Sequence, residues 1–111
     1  MRRRRIVLGL YADEAGVARV RALLDGEARR RGVRLAWQEV RGAATAEDYG
    51  YLADQWAAEN SPHSPGAREA VEVRATFPGS LKTWRTLRTA TLNGLCPPGP
   101  HVCEVPWSAG L

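Results

Sequence analysis

The sequence is poor in the residues that build covalent cross-links and metal centres. It contains two cysteines, Cys96 and Cys103, and two histidines, His63 and His101. Two cysteines cannot form the set of several disulfides that holds small secreted domains together. The sequence also lacks any spacing as specific as a catalytic or nucleotide-binding motif, so it names no reaction and leaves any cofactor unknown.

Long hydrophobic runs are absent as well. The apolar run "IVLGLY", residues 6–11, is followed closely by Asp13 and Glu14. A secretory signal needs about 7–15 apolar residues, and a membrane-spanning helix needs about 20. We therefore expect a cytoplasmic protein with no membrane partner, in which both thiols are reduced.

Hydrophobic residues are nevertheless frequent enough to form a core. They make up 44% of the 111 residues, and charged residues make up 25%. These proportions are typical of globular proteins and unlike those of disordered chains. Because a chain of this length usually forms one core, the prediction is a single domain over residues 1–111.

Positive charge is in excess, with a formal net charge of +4. Most basic residues are arginines interleaved with Glu and Asp, a pattern typical of a solvated surface. The exception is the run from Arg2 to Arg5, which could contact phosphate groups or anionic lipid. We interpret this run as a solubilising arm before the first strand, so the sequence does not favour nucleic acid as a partner.

The first part of the chain alternates strand and helix. Residues 6–10 form a nearly continuous apolar run, which predicts a strand buried on both faces. Val17, Val20, Leu24 and Ala28 then recur at helical spacing within residues 12–32. Residues 33–42 alternate with a period of two, which predicts a second strand.

Residues 42–67 have the least regular pattern. Thr45 and Asp48 resemble a helix capping box, and Leu52 and Trp56 follow on one helical face. Residues 59–67 carry two prolines and a glycine, which are typical of an exposed loop. We expect a short helix here and then a mobile loop.

The second half repeats the order of the first. Residues 68–77 alternate apolar and polar side chains, which predicts a half-buried third strand. Residues 78–94 carry Ser80 as a candidate N-cap and an apolar stripe through Trp84, which predicts a second main helix. Residues 101–107 are short and alternating, and Pro106 makes them an edge strand.

This order predicts an α+β fold. We expect a ferredoxin-like βαββαβ sandwich, with a helical and loop insertion between strands 2 and 3. The competing arrangement is a small doubly wound parallel sheet, in which the middle helix is a full crossover element.

With this order, the chain resembles the PII-like superfamily, which includes the PII signal-transduction proteins and the CutA proteins. The residues that carry the resemblance are "WQEVRG" before a long loop, "EAVEVRATFPGS" before a helix, and then "TATLNGL" and "PGPHVCEVPW". Together these motifs place the resemblance over residues 5–107.

The resemblance implies a homotrimer with small-molecule ligand clefts between its subunits, and the trimer is favoured over a dimer. The ligand-binding residues that it implies are Gly42 at the base of the long loop, and Asn93, Gly94, Gly99 and His101 around the short loop. The segments "CPPGPH" and "SAGL" contain no Lys or Arg. We therefore expect a ligand-responsive regulator without clear residues for nucleotide phosphates.

Cys96, His101 and Cys103 form the pattern C-x4-H-x-C. Three such ligands could hold zinc or copper, with His63 or a water as the fourth ligand. The alternatives are a disulfide between the two cysteines, a cysteine nucleophile with His101 as its base, and small buried hydrophobic side chains. The last alternative is favoured because the spacing matches no usual zinc pattern.

The aromatic residues allow an enzymatic alternative. Trp37, Trp84 and Tyr49 could line a dry pocket that also holds Glu39 or His101, as in small dimeric ferredoxin-like monooxygenases, isomerases or cyclases that act on aromatic substrates. We instead favour Trp37 and Trp84 as core residues and expect a binding protein rather than an enzyme. A third alternative is a nucleic-acid binder that uses Arg2 to Arg5.

Overall fold

The computed structural model describes residues 2–95 and 105–109. Within them the chain forms four strands and four helices in the order β1, α1, β2, α2, α3, β3, α4, β4. The strands span Arg3–Ala12 (β1), Ala36–Val40 (β2), Glu69–Pro78 (β3) and Trp107–Ala109 (β4). The helices span Glu14–Arg30 (α1), Ala43–Asp48 (α2), Gly50–Asn60 (α3) and Leu81–Leu95 (α4).

The four strands form one sheet in the order β2-β3-β1-β4. Every neighbouring pair is antiparallel, and the long central pair β1 and β3 aligns Arg3 with Pro78 at one end and Ala12 with Glu69 at the other. The α+β class is therefore confirmed, and the alternative of a parallel doubly wound sheet is wrong. The antiparallel arrangement agrees with the alternating pattern of β3, which has one well-buried face.

The main core lies between α1, α4 and one side of the sheet, which we call the helix face. Its strand residues include Leu8, Leu10 and Phe77, each no more than 1% exposed. The helices contribute residues such as Val20 and Leu87. Burial of these apolar side chains is the main stabilising contribution to the fold.

The opposite side of the sheet, the outer face, is covered only in part. The α2 and α3 helices lie over one half of it, where the ring of Tyr49 sits directly on Gly9 and Trp56 packs against Tyr11 at 6.2 Å between ring centroids. Beyond these helices, Arg5 and Gln38 of the outer face are exposed. The insertion between β2 and β3 is therefore a packed helical layer.

Three boundaries differ from the sequence prediction. The middle region forms two helices that meet at Tyr49, and β2 is shorter than the predicted 33–42. The last described strand is Trp107–Ala109, which pairs with residues 8–10 of β1 and ends beyond the predicted strand 101–107. Residues 101–104 of the predicted strand lie outside the described residues. Val105 and Pro106 precede the strand, and the carbonyl of Pro106 accepts a hydrogen bond from the amide of Tyr11 at 3.2 Å.

Among the described residues, no helix is both long and apolar enough to cross a membrane.

Candidate functional site

The topology gathers basic side chains at one end of the molecule. Since the sheet is antiparallel, β1 and β2 begin at the end where β3 finishes; α1 finishes there and α4 begins there. Ten of the 16 basic side chains belong to these segments: Arg2, Arg3, Arg4, Arg5, Arg29, Arg30, Arg31, Arg34, Lys82 and Arg85. We call this surface the arginine end.

The start of β1 is held against the β3–α4 turn by main-chain contacts. The amide of Gly79 donates to the carbonyl of Arg2 at 3.0 Å, and Nε of Arg4 donates to the carbonyl of Gly79 at 3.3 Å. The indole Nε1 of Trp84 donates to the carbonyl of Arg5 at 2.8 Å. The arginine run is therefore part of the sheet, and its backbone is fixed relative to α4.

Two shallow grooves that start at the arginine end bring arginines of distant segments together, and one of them continues along α4. One groove, of about 420 Å³, is lined by Arg31 after α1 and by Arg85, Thr86, Thr89, Ala90 and Asn93 of α4. The other, of about 290 Å³, lies at the sheet and is lined by Arg3, Arg34 and the end of β3. Arginines, threonine hydroxyls and an asparagine amide are donors that suit phosphate oxygens.

Few carboxylates oppose these cations. Among the described residues, the acidic side chains of the arginine end are Asp25 and Glu27, both in α1. Asp25 pairs with Arg29 at 3.0 Å, and Glu27 pairs with Arg31 at 2.9 Å and Arg30 at 3.3 Å. All three arginines lie at the end of α1, where positive charge also suits the helix dipole. Within the described part of the chain, no ion pair is made by Arg2, Arg3, Arg34, Lys82 or Arg85. Arg5 makes no direct ion pair there either, but its charge helps to lower the pKa of Glu72 on the outer face.

Outside the arginine end, Arg41 and Arg21 lie among carboxylates. Arg41 contacts Glu14 at 2.7 Å, Glu69 at 2.6 Å and Glu39 at 2.9 Å, and these hydrogen bonds raise the pKa of its guanidinium further. Arg21 pairs with Glu39 at 2.8 Å. The excess of positive charge is therefore concentrated at one end, although basic residues are dispersed along the sequence.

The covered half of the outer face contains a polar cluster. The hydroxyl of Tyr49 donates to Glu72 at 2.8 Å, and Arg74 also pairs with Glu72. Burial and then the contact with Glu72 raise the pKa of Tyr49 to about 12. Burial alone would raise the pKa of Glu72, but the hydrogen bonds from Tyr49 and Arg74 outweigh it and lower that pKa. These contacts anchor the helical layer to the sheet.

Of the ligand-binding residues implied by the sequence resemblance, Gly42, Asn93 and Gly94 lie within the described residues, and they stand on different elements. Gly42 precedes α2 on the outer-face side, whereas Asn93 and Gly94 lie on α4 against the helix face. Asn93 lines the α4 groove, and a side chain at Gly94 would press on Leu23. Gly99 and His101 lie outside the described residues, so the predicted clefts stay a prediction.

The metal prediction is likewise untested, because Cys96, His101 and Cys103 lie outside the described residues. In the described part of the chain, no group of three or more His, Cys, Asp or Glu side chains is close enough to hold a metal ion. His63 lies exposed in the 61–68 loop, where its amide donates to the carbonyl of Asn60 at 2.8 Å.

The aromatic residues of the enzymatic alternative lie on both sides of the sheet. Trp37 and Trp84 pack against the main core on the helix face, in agreement with the favoured core interpretation. Tyr49 lies over Gly9 on the outer face. A single cavity therefore does not enclose Trp37, Trp84 and Tyr49.

Sequence reasoning singled out Arg2 to Arg5 but missed their basic neighbours. Residues 29–31, Arg34, Lys82 and Arg85 are distant in sequence and meet only through the topology. Their positions in the sequence could have predicted this meeting. Each of these basic residues stands at the start or end of a predicted helix or strand, and those helix and strand ends lie together in an antiparallel sandwich.

No protein-family model matches the chain, and a search of curated proteins returns no match. Function is therefore inferred from the surface of the molecule itself.

Proposed function

We propose that the protein binds nucleic acid through contacts between the arginine end and the phosphate backbone. The observation that carries this proposal is the concentration of ten basic side chains at one end, against two acidic side chains in the described residues there. Such a basic surface supplies the electrostatic part of nucleic-acid affinity, because each neutralised phosphate releases bound counterions.

Arginine is suited to this role. Its guanidinium stays charged at all physiological pH values and presents several donors in a fixed geometry that matches phosphate. Nine of the ten basic side chains of the arginine end are arginines. The threonines and Asn93 in the α4 groove add neutral donors beside Arg31 and Arg85.

We also propose that the fold is ferredoxin-like. The strand order, read as β4-β1-β3-β2, and the two strand-helix-strand connections on one face support this assignment. The α2–α3 insertion then lies on the outer face, over the half toward the β1–α1 turn. A cytoplasmic location, which we expect from the sequence, agrees with access to nucleic acid.

The test compares two charge-matched double variants. Arg3→Gln/Arg5→Gln removes two charges from the arginine end, and Arg21→Gln/Arg41→Gln removes two charges elsewhere. Binding to a short labelled nucleic-acid duplex is followed by fluorescence anisotropy over a range of salt concentrations, after circular dichroism has verified the fold of each variant.

The first variant should bind about tenfold more weakly, and its plot of log affinity against log salt should be shallower by about 2. The second variant should bind as the wild type does. Equal losses in both variants would mean that net charge alone matters, which contradicts the proposal. Binding to anionic lipid vesicles but to no nucleic acid would instead identify a lipid surface.

A further inference from the structure

We propose that the arginine end prefers double-stranded nucleic acid over single strands, an inference that rests on the proposed function of the same surface. Single strands are usually bound by aromatic side chains on which the unpaired bases stack, along a groove that follows one backbone. The described part of the arginine end lacks exposed rings, and its charges are divided between two grooves.

The aromatic rings near the arginine end are already engaged. Phe77 is 1% exposed in the core. The indole N–H of Trp84 donates to the carbonyl of Arg5, and the guanidinium carbon of Arg88 lies 5.7 Å from the centre of its ring. Neither residue can present a free ring to an unstacked base without breaking these contacts.

Among the described residues, the large aromatic side chain that is exposed belongs to Tyr51, which lies away from the arginine end. Tyr51 is 53% exposed and sits on α3, with its ring 6.5 Å from that of Tyr49 over the covered half of the sheet. Trp37 lies under the guanidinium of Arg21, at 4.8 Å from its ring centre. Aromatic stacking and the strongest positive charge are therefore separated on this molecule.

The charges of the arginine end are distributed over both layers of the sandwich. Arg3 and Arg34 line the groove at the sheet, and we call them the sheet row. Arg31 and Arg85 line the groove at the helices, and we call them the helix row. A single extended nucleic-acid strand can follow only one of these rows at a time. A duplex presents two backbones and about one phosphate charge per 1.7 Å of its axis, so it can meet both rows together.

The experiment measures affinities for a short mixed-sequence DNA duplex and for one of its own strands, chosen so that it does not fold on itself. Wild-type protein is compared with Arg3→Gln in the sheet row, Arg85→Gln in the helix row, and Arg21→Gln as a control of equal charge change outside the arginine end. All three positions have exposed or half-exposed side chains, and circular dichroism checks each fold.

We expect the duplex to bind at least about fivefold more tightly than the single strand at the same salt concentration. Arg3→Gln and Arg85→Gln should each weaken duplex binding severalfold and lower the salt slope by about 1, while Arg21→Gln leaves both unchanged. Equal or tighter binding of the single strand, or an effect of only one of the two rows, would overturn the inference. Binding to neither probe would instead overturn the proposed function.

Discussion

At the scale of single residues, the contact between Gly9 and Tyr49 decides how the outer face is covered. Gly9 lies in the middle of β1, and a Cβ atom built on it would be 2.0 Å from Cε1 of Tyr49. The missing side chain lets the tyrosine ring lie against the sheet, with its hydroxyl beside Glu72. A close approach of this kind is a physical reason for glycine within a strand.

Gly9→Ala should therefore destabilise the protein by about 1–3 kcal/mol, because the added methyl group must displace the Tyr49 ring. Chemical denaturation followed by circular dichroism measures this loss. Gly26→Ala is the matched control, since Gly26 lies within α1 with open space around it and alanine favours helix by about 1 kcal/mol. If Gly9→Ala cost the same in a Tyr49→Ala background, the proposed clash would be wrong.

The pKa of Tyr49 predicts a dependence of stability on alkaline pH. The pKa is about 12 in the folded protein and about 10 in an unfolded chain. Between these values the unfolded state loses its proton first, so the stabilising contribution is full below pH 10 and is lost as the pH rises toward 12. Tyr49→Phe should show a smaller loss over this window.

Spectrophotometric titration provides the direct measurement. One of the three tyrosines should ionise near pH 12, and Tyr49→Phe should remove that step. A Tyr49→Phe titration curve that keeps the late step would show that another tyrosine is the protected one.

At the scale of elements, the α2–α3 layer depends on the turn that follows β2. Gly42 has φ 117 and ψ −173, a conformation that is open almost only to glycine. This turn leads the chain from the end of β2 into α2 over the outer face. The role that the structure gives Gly42 is therefore conformational.

Gly42→Ala should destabilise the protein by about 1–3 kcal/mol through backbone strain, although nothing lies within 4 Å of the added methyl group. Gly50→Ala serves as the control, since Gly50 also has free space and begins α3 without a positive φ. Thermal or chemical denaturation compares the two variants. Equal stabilities would contradict the account of this turn.

The elements with a clear period were predictable from the sequence. The apolar spacing of Val17, Val20 and Leu24 predicted α1, and the alternation through Val71 and Val73 predicted β3. The last strand continues two residues beyond its predicted end at residue 107, because its pairing with residues 8–10 depends on a tertiary register that no local pattern encodes. The packing of α2 and α3 on the sheet was missed for the same reason, since it requires Gly9 and Tyr49 to meet.

At the scale of the whole molecule, the main property is an uneven distribution of charge. The sequence interpretation treated most arginines as a dispersed, solvated surface, apart from Arg2 to Arg5. The antiparallel topology places those four beside the end of α1 and the start of α4. Their meeting could not be predicted from composition, because it follows from which element ends coincide in space.

The uneven distribution of charge also predicts how a bound nucleic acid is oriented on the protein. Arg41 and its three carboxylate partners lie where β2 ends, and carboxylates are repelled by phosphate. A bound nucleic acid should therefore contact the arginine end and leave the region around Arg41 free.

Binding at the arginine end can be followed by the change in backbone amide NMR signals of the 111-residue chain on addition of a short DNA duplex at low salt. The largest changes should lie in residues 2–5, 29–36 and 79–86, and they should disappear at high salt. Changes centred on residues 41–48 and 61–69 would show that the duplex binds elsewhere, and no changes at all would show that it does not bind.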